Sequence, residues 1–384
     1  MPASRSRPMV GIDTTSEVWS NIMHASAMAQ IEATVTGRRG LRTFPCRLLL
    51  ACISPLRPDT NGPDVPASRP RPDVVARPKT PLTAAGPAVT LAETLFQFGD
   101  DVIPRSYLYV PGDDAAKLEK ATSRGADALI VDLEDAVAPA KKDEARALVT
   151  GWLSTLPATD VEIWVRVNPG DLGLQDARAV LAPRVRGLVA AKTESAEGLR
   201  VLAAEAAAAE DRLELPRGAF GLVPLLESAR ALLAATEIAA VPGVVRLQVG
   251  EADLAADLGF ARQDDQAPWD TIRTQTVIVS AAAGIEAPVA PVSTDFRDLD
   301  GFAASTRALA ARGFVGRACI HPAQVAVANE VFTPRPEDVG HARALIAAFD
   351  EAVARGVGVI LGEDGRMIDE AVVRNARRTV ALAR

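Results

Sequence analysis

Phe220-Gly-Leu-Val-Pro-Leu-Leu-Glu-Ser228 and its echo Leu247-Gln-Val-Gly-Glu-Ala-Asp-Leu254 decide the fold. Each is an apolar run that stops abruptly at carboxylates. The first reads as a buried strand ending at Glu227. The second reads as a strand ending near Gly250, with Glu251 and Asp253 just beyond. Two strand ends presenting acids to one place are how a barrel holds a hard divalent cation. The competing reading is that these acids cap the helices that follow, since Glu227-Ser228 opens one.

The same pattern recurs on both sides of this pair. Tyr107–Val110, Ala128–Val131, Glu162–Asn168 and Gly187–Lys192 precede it, and Ala287–Val292 and Arg317–His321 follow, making eight strand candidates. Helical patterns such as Asp114 to Arg124 and Ser195 to Glu210 separate them. Strands alternating with helices imply right-handed βαβ units and a parallel sheet. Eight such units fit a (β/α)8 TIM barrel, with a doubly wound open sheet as the alternative. The barrel is preferred because Asp132, Glu134, Asn168, Lys192, Glu227, Asp253 and His321 end their strands. A barrel gathers such ends into one ring, whereas an open sheet spreads them along an edge.

The chain has three parts: a leader over 1–98, the barrel over 99–331, and an extension over 332–384. In the leader, nine prolines fall between Pro55 and Pro87. Proline lacks an N–H and resists both helix and sheet, so a disordered leader is expected. Residues 15–35 could form a short helix, and an Arg-rich, Ser-containing leader can also be a transit peptide. The extension begins at Phe332-Thr-Pro-Arg-Pro336. It reads as a helix from about Val339 to Arg355, a hairpin turning at Glu363-Asp364-Gly365, then Met367-Ile-Asp369 and a terminal helix.

Of the 384 residues, 48% are hydrophobic and 24% charged, enough to bury a sizeable core. Net charge is −7. Residues 1–85 carry eleven basic and six acidic side chains, so the acidic excess lies in the body of the chain. That argues against a nucleic-acid partner. No apolar run is long enough for a membrane span. Cys46, Cys52 and Cys319 show no metal-ligand spacing, and a reducing, cytoplasmic setting is expected.

Several constellations carry chemistry. Mg2+ takes one or two carboxylates, with water and substrate completing its shell, which suits Glu227 and Asp253. No His cluster or Cys pair is present to hold zinc. Asp132 and Glu134 alternate onto one face and either bind metal or orient neighbouring groups; Arg105, Arg146 and Arg166 are the cations available to them. Arg166 and Asn168 share a face. Arg166 offers a planar fork to a carboxylate or enolate oxygen, or else forms a structural pair with Asp132 or Glu134. Lys192 could form a Schiff base, but neighbouring acids would hold it protonated, which favours a salt bridge. Gly112 opens a loop where a phosphate or adenine could rest, near Tyr109 and Lys117. His321 is either a base or a ring hydrogen-bonded in the wall.

Taken together, Arg105–Gly112, Val131–Asp135 with Lys142 to Arg146, Val165–Asn168, Ala191–Glu194, Leu226–Ser228, Gly250–Leu254, Ala318–Pro322 and Met367–Asp369 resemble the HpcH/HpaI aldolase/citrate lyase β-subunit family. The chain looks closest to its citramalyl-CoA and malyl-CoA lyase-like members. The resemblance implies a Mg2+ cofactor on Glu227 and Asp253, and Arg166 on the substrate's oxygen. It places Tyr109 and the Lys117 region on an acyl-CoA ester, with a 2-oxo acid as the other fragment. It also implies a homotrimer in which the extension covers a neighbour's barrel mouth and delivers Asp369 as the acid/base. Expected activities are reversible C–C cleavage of a 3-hydroxyacyl-CoA, hydrolysis of the same thioester, or a CoA-ester-binding role in a citrate lyase complex.

Overall fold

The computed structural model describes residues 103–260, 266–362 and 364–383. The expected disordered leader, with its short helix over 15–35, lies outside them. The described residues fall within one compact unit, so the extension is not separated from the sheet.

Seven parallel strands form the sheet: β1 Ser106–Pro111, β2 Ala128–Asp132, β3 Glu162–Val167, β4 Gly187–Ala190, β5 Gly221–Leu226, β6 Gln248–Val249 and β7 Arg317–Cys319. Their order is β6-β5-β4-β3-β2-β1-β7, so each of the first six strands lies beside its predecessor and β7 returns to β1. Helices intervene: α1 Ala115–Ala121, α2 Lys142–Thr155, α3 Gly170–Val180, α4 Ala196–Arg212, α5 Ala229–Leu233, α6 Ala235–Ala239, α7 Glu251–Leu258, α8 Gln266–Ala283, α9 Leu299–Ala311 and α10 Pro322–Phe332.

The strand expected over 287–292 is not a regular strand. Val289 makes a single parallel bridge to Gln248, and Ala290 one to Arg317, so this segment links the sheet edges β6 and β7. Pro288 and Pro291 flank the bridge residues and have no N–H to donate, which keeps the ladder short. The result is a curled parallel sheet consistent with a TIM-like barrel.

One face of the sheet encloses a core containing Tyr107, Ile130, Trp164, Val189, Val223 and Ala318. Glycines make room for the Trp164 ring. A Cβ on Gly187 would lie 2.6 Å from the Trp164 ring and 2.0 Å from the Gly221 carbonyl oxygen. The opposite face packs Leu129, Val131, Ile163 and Leu188 against the helices. Strand side chains alternate, so each strand serves both layers.

Side-chain caps start several helices at the carboxyl ends of strands. Asp114 accepts from Lys117 N, Ser195 from Gly198 N, Ser228 from Ala231 N and Asp298 from Gly301 N. Beyond α10, helix α11 (Pro336–Ala354) leads to the antiparallel hairpin β8 Ile360–Leu361 and β9 Met367–Ile368, then to α12 (Glu370–Ala381). Gly365 turns the hairpin at φ +75°, a backbone region that favours glycine. The hairpin leaves Leu361 75% and Met367 61% exposed.

Candidate active site

Parallel strands in consecutive order carry their carboxyl ends to one face, and the chemistry collects there. Glu227 follows β5 and is buried. It does not cap α5; Ser228 does. The Glu227 carboxylate instead accepts from Lys192 N at 2.7 Å, a bond tying the ends of β4 and β5 together. Burial pushes its pKa up from 4.5 to about 7, Arg166 pulls against this, and Asp253 and Glu134 add to the rise. Asp253 lies in the first turn of α7, whose N-cap is Gly250. Gly250 is required by Glu227: a Cβ there would sit 2.4 Å from Glu227 Cγ and Oε1.

These observations test the fit of a cation. A buried carboxyl whose ionisation is opposed by burial and by two neighbouring carboxylates is a group that a divalent ion would stabilise as the anion. The donors are oxygen only, as Mg2+ prefers. Among the described residues no cluster of three or more His, Cys, Asp or Glu is arranged around a common point. Two carboxylates leave most of an octahedron for water and substrate, which fits Mg2+ rather than a closed structural site.

Arg166 is anchored in this mouth. Its Nε donates to Asp132 Oδ1 at 2.8 Å and its Nη2 to Asp132 Oδ2 at 2.5 Å, while Nη1 lies 3.1 Å from Glu134 Oε2. The guanidinium also sits over the Tyr109 ring, 5.1 Å from its centroid. The structural pair weighed for Arg166 therefore exists, and Asp132 is its orienting partner. The other two arginines considered as partners are elsewhere: Arg105 pairs with Asp127, and Arg146 with Asp143 and Asp176. Burial raises the Tyr109 phenol well above its usual range despite the nearby Arg166, so Tyr109 is a neutral donor at pH 7.

Lys192 adopts the left-handed backbone region at φ +49°. Its ammonium bonds to Glu134 and, at 3.0 Å, to Asp135. Burial works to lower its pKa, but these bonds outweigh it and raise it. The expected salt bridge is present, and a protonated amine does not form a Schiff base.

Three expected site residues stand apart from this cluster. Lys117 pairs with Asp114 at 3.1 Å on the exposed surface of α1. Asp369 caps α12, accepting from Val372 N at 3.1 Å, and among the described residues it makes no hydrogen bond or ion pair with Arg166, Glu227 or Asp253. His321 caps α10 through Nδ1, accepting from Ala323 N at 3.1 Å, and stacks on Phe296, so its ring is a structural element of the wall. Gly112 also has a structural reason: a Cβ would meet the Asp132 carbonyl oxygen at 2.8 Å.

Sequence reasoning passed over Gln248. It is 2% exposed, its Oε1 has no hydrogen-bond partner, and its Nε2 lies 3.5 Å from Tyr109 Oη. The available signal was one amide inside the apolar run of β6. A buried unpaired carbonyl oxygen calls for a donor, which a ligand or water in the mouth can supply.

The family model for HpcH/HpaI aldolase/citrate lyase matches residues 105–322. The (3S)-malyl-CoA thioesterase of Cereibacter sphaeroides is 35% identical over 281 residues, covering 73% of this chain and 94% of that protein. The mitochondrial citramalyl-CoA lyase of Homo sapiens is 34% identical over 294 residues, covering 73% and 85%. The crystal structure of CitE from Mycobacterium tuberculosis in complex with magnesium, acetoacetate and coenzyme A superposes with a TM-score of 0.58 at 28% identity, covering 74% of this chain and 99% of that one. The chain therefore belongs to the HpcH/HpaI aldolase/citrate lyase family of enzymes.

Proposed function

We propose that this chain is a Mg2+-dependent lyase that reversibly cleaves a 3-hydroxyacyl-CoA, such as citramalyl-CoA or malyl-CoA, to acetyl-CoA and a 2-oxo acid. The observation that carries the reading is the buried Glu227 beside Asp253, facing an arginine that Asp132 and Glu134 hold rigid. The likeness to CitE with magnesium, acetoacetate and coenzyme A supports it.

In this reading the segment 289–290 completes a closed (β/α)8 barrel between β6 and β7. Glu227 and Asp253 hold the ion. When bound, Mg2+ polarises the hydroxyl and carboxylate of the 2-hydroxy acid half. Arg166 presents its remaining N–H groups to the oxygen that becomes the keto group; pre-oriented donors of this kind stabilise developing charge without reorganising. Tyr109 and the Lys117 region meet the CoA ester. As the C–C bond breaks, the hydroxyl gives up its proton to the Asp369 carboxylate, its oxygen becomes the keto oxygen, the bonding pair passes to the acetyl-CoA carbon as an enolate, and Asp369 returns the proton to that carbon. In condensation Asp369 removes it.

In this reading Asp369, at the start of α12, acts in the mouth of a neighbouring barrel rather than its own. A homotrimer in which the hairpin covers a neighbouring barrel meets this need, and the exposed Leu361 and Met367 give the hairpin an apolar face to bury there. Asp369→Asn is expected to abolish lyase turnover while leaving Mg2+ binding intact; full activity would overturn the assignment.

A second reading keeps the site and changes the bond: water attacks the thioester, as the likeness to a malyl-CoA thioesterase allows. A panel of CoA esters with Mg2+ separates the two. Acetyl-CoA with pyruvate or glyoxylate supports the lyase, and free CoA without acetyl-CoA supports the hydrolase. Activity appearing only with added partner chains would point to a citrate lyase subunit.

A further inference from the structure

A separate cavity of about 280 Å³ opens between the loops after β6 and after the bridge segment 289–290. Its walls include Glu251, Arg273, Ser293, Thr294, Ser305 and Arg317. None of these residues takes part in the proposed reaction.

Arg317 is 4% exposed. Its Nε donates to the Pro291 carbonyl at 3.1 Å. Its Nη1 faces the Phe302 carbonyl at 3.0 Å, Ser305 Oγ at 2.9 Å and Thr306 Oγ1 at 2.5 Å. The guanidinium lies over the Phe302 ring, 4.1 Å from its centroid. Every one of these partners is neutral. Among the described residues Arg317 has no carboxylate at ion-pair distance, and its Nη2 donates to nothing.

The neighbouring charges are already committed. Arg273 grips Glu251 with two bonds, at 2.7 and 2.8 Å, and its Nη1 donates to Gln266 Oε1 at 2.8 Å. Asp298, on the rim, accepts from Gly301 N at 2.9 Å to cap α9. Burial pushes Arg317 down to about 10 and Arg273 adds to this, while Cys319 and the more distant Glu251 carboxylate, already gripped by Arg273, only partly oppose it. A buried cation is costly without a counter-charge, and proteins normally supply one.

We propose that this cavity is an oxyanion site, in which Arg317 Nη2 and the hydroxyls of Ser293 and Thr294 hold a phosphate-type group. These donors come from β7 and from the loop after the bridge segment and line one cavity. Barrel enzymes often seat phosphate in the loops after their seventh and eighth strands. The segment 289–290 and β7 stand at those positions in the closed barrel proposed above, so this supporting argument rests on that reading. The unpaired buried arginine does not.

The test uses the full chain and inorganic phosphate, titrated by calorimetry at constant ionic strength against chloride. One saturable site per chain is expected. Arg317→Met should weaken it about 10- to 100-fold, the worth of a charged hydrogen bond. Ser293→Asp places an internal carboxylate in the cavity that Arg317 lines and should abolish the phosphate response in a chain that still unfolds cooperatively. This second variant keeps the test decisive if Arg317→Met does not fold. Competition by saturating CoA would assign the phosphoryl group to the CoA ester, and its absence to a free oxyanion. No saturable phosphate binding in the unmodified chain, or an unchanged dissociation constant in Ser293→Asp, would overturn the proposal.

Discussion

Replacing Glu227 by Gln perturbs the centre of the site with almost no change in shape. In the folded protein burial raises this carboxyl from 4.5 to about 7. A raised acid stabilises the fold while protonated. Its contribution is fully present below pH 4.5 and is lost as the pH climbs through about 7. The shift corresponds to about 3 kcal/mol. Gln cannot ionise, so the metal-free variant should escape this loss. Urea unfolding in chelator at pH 5 and pH 8 measures it: the two proteins should be close in stability at pH 5, with the variant ahead by up to about 3 kcal/mol at pH 8. Mg2+ then reverses the order. At a hundredfold excess over its dissociation constant it should stabilise the unmodified protein by about 2.7 kcal/mol and the variant little. Equal pH slopes in chelator would refute the claim that Glu227 is the strained acid. Equal stabilisation of both proteins by Mg2+ would refute its role as ligand.

Other substitutions probe the supports. Gly250→Ala places a Cβ 2.4 Å from Glu227 Cγ and Oε1, so Mg2+ affinity measured by calorimetry should fall about 10- to 100-fold. Arg166→Met leaves the buried Asp132 without its cation, while Glu134 keeps Lys192, and should cost about 3–5 kcal/mol in urea unfolding, with turnover lost. Lys192 is held protonated by Glu134 and Asp135, so borohydride reduction with a 2-oxo acid should leave the protein mass unchanged; an adduct on Lys192 would contradict the ion-pair geometry.

The positions of the strands were legible because a parallel sheet buries both faces of each strand, and that demand is written locally as short apolar runs ending in polar residues. Glu227 and Asp253 were legible for the same reason: a carboxylate at the end of a buried run needs a special partner. The segment 287–292 was overread, because its apolar pattern could not show that Pro288 and Pro291 limit it to single bridges.

What the tertiary structure alone decided is pairing. Arg105, Arg146 and Arg166 were all candidates for the Asp132–Asp135 cluster, with a pair to Asp132 or Glu134 weighed for Arg166, and the register of β2 on β3, setting Asp132 opposite Arg166, shows that pair in place. His321, read as a base or a ring in the wall, takes the second role as the cap of α10, and Gly112 has a packing reason of its own. Gln248 and Arg317 looked like ordinary strand residues; the unpaired Gln248 Oε1, and an Arg317 whose hydrogen-bond partners are all neutral, appear only in three dimensions. The opening pair of acid-ended runs pointed to a candidate site at the strand ends. Charge complementarity, which depends on distances between residues far apart in the chain, had to wait for the fold.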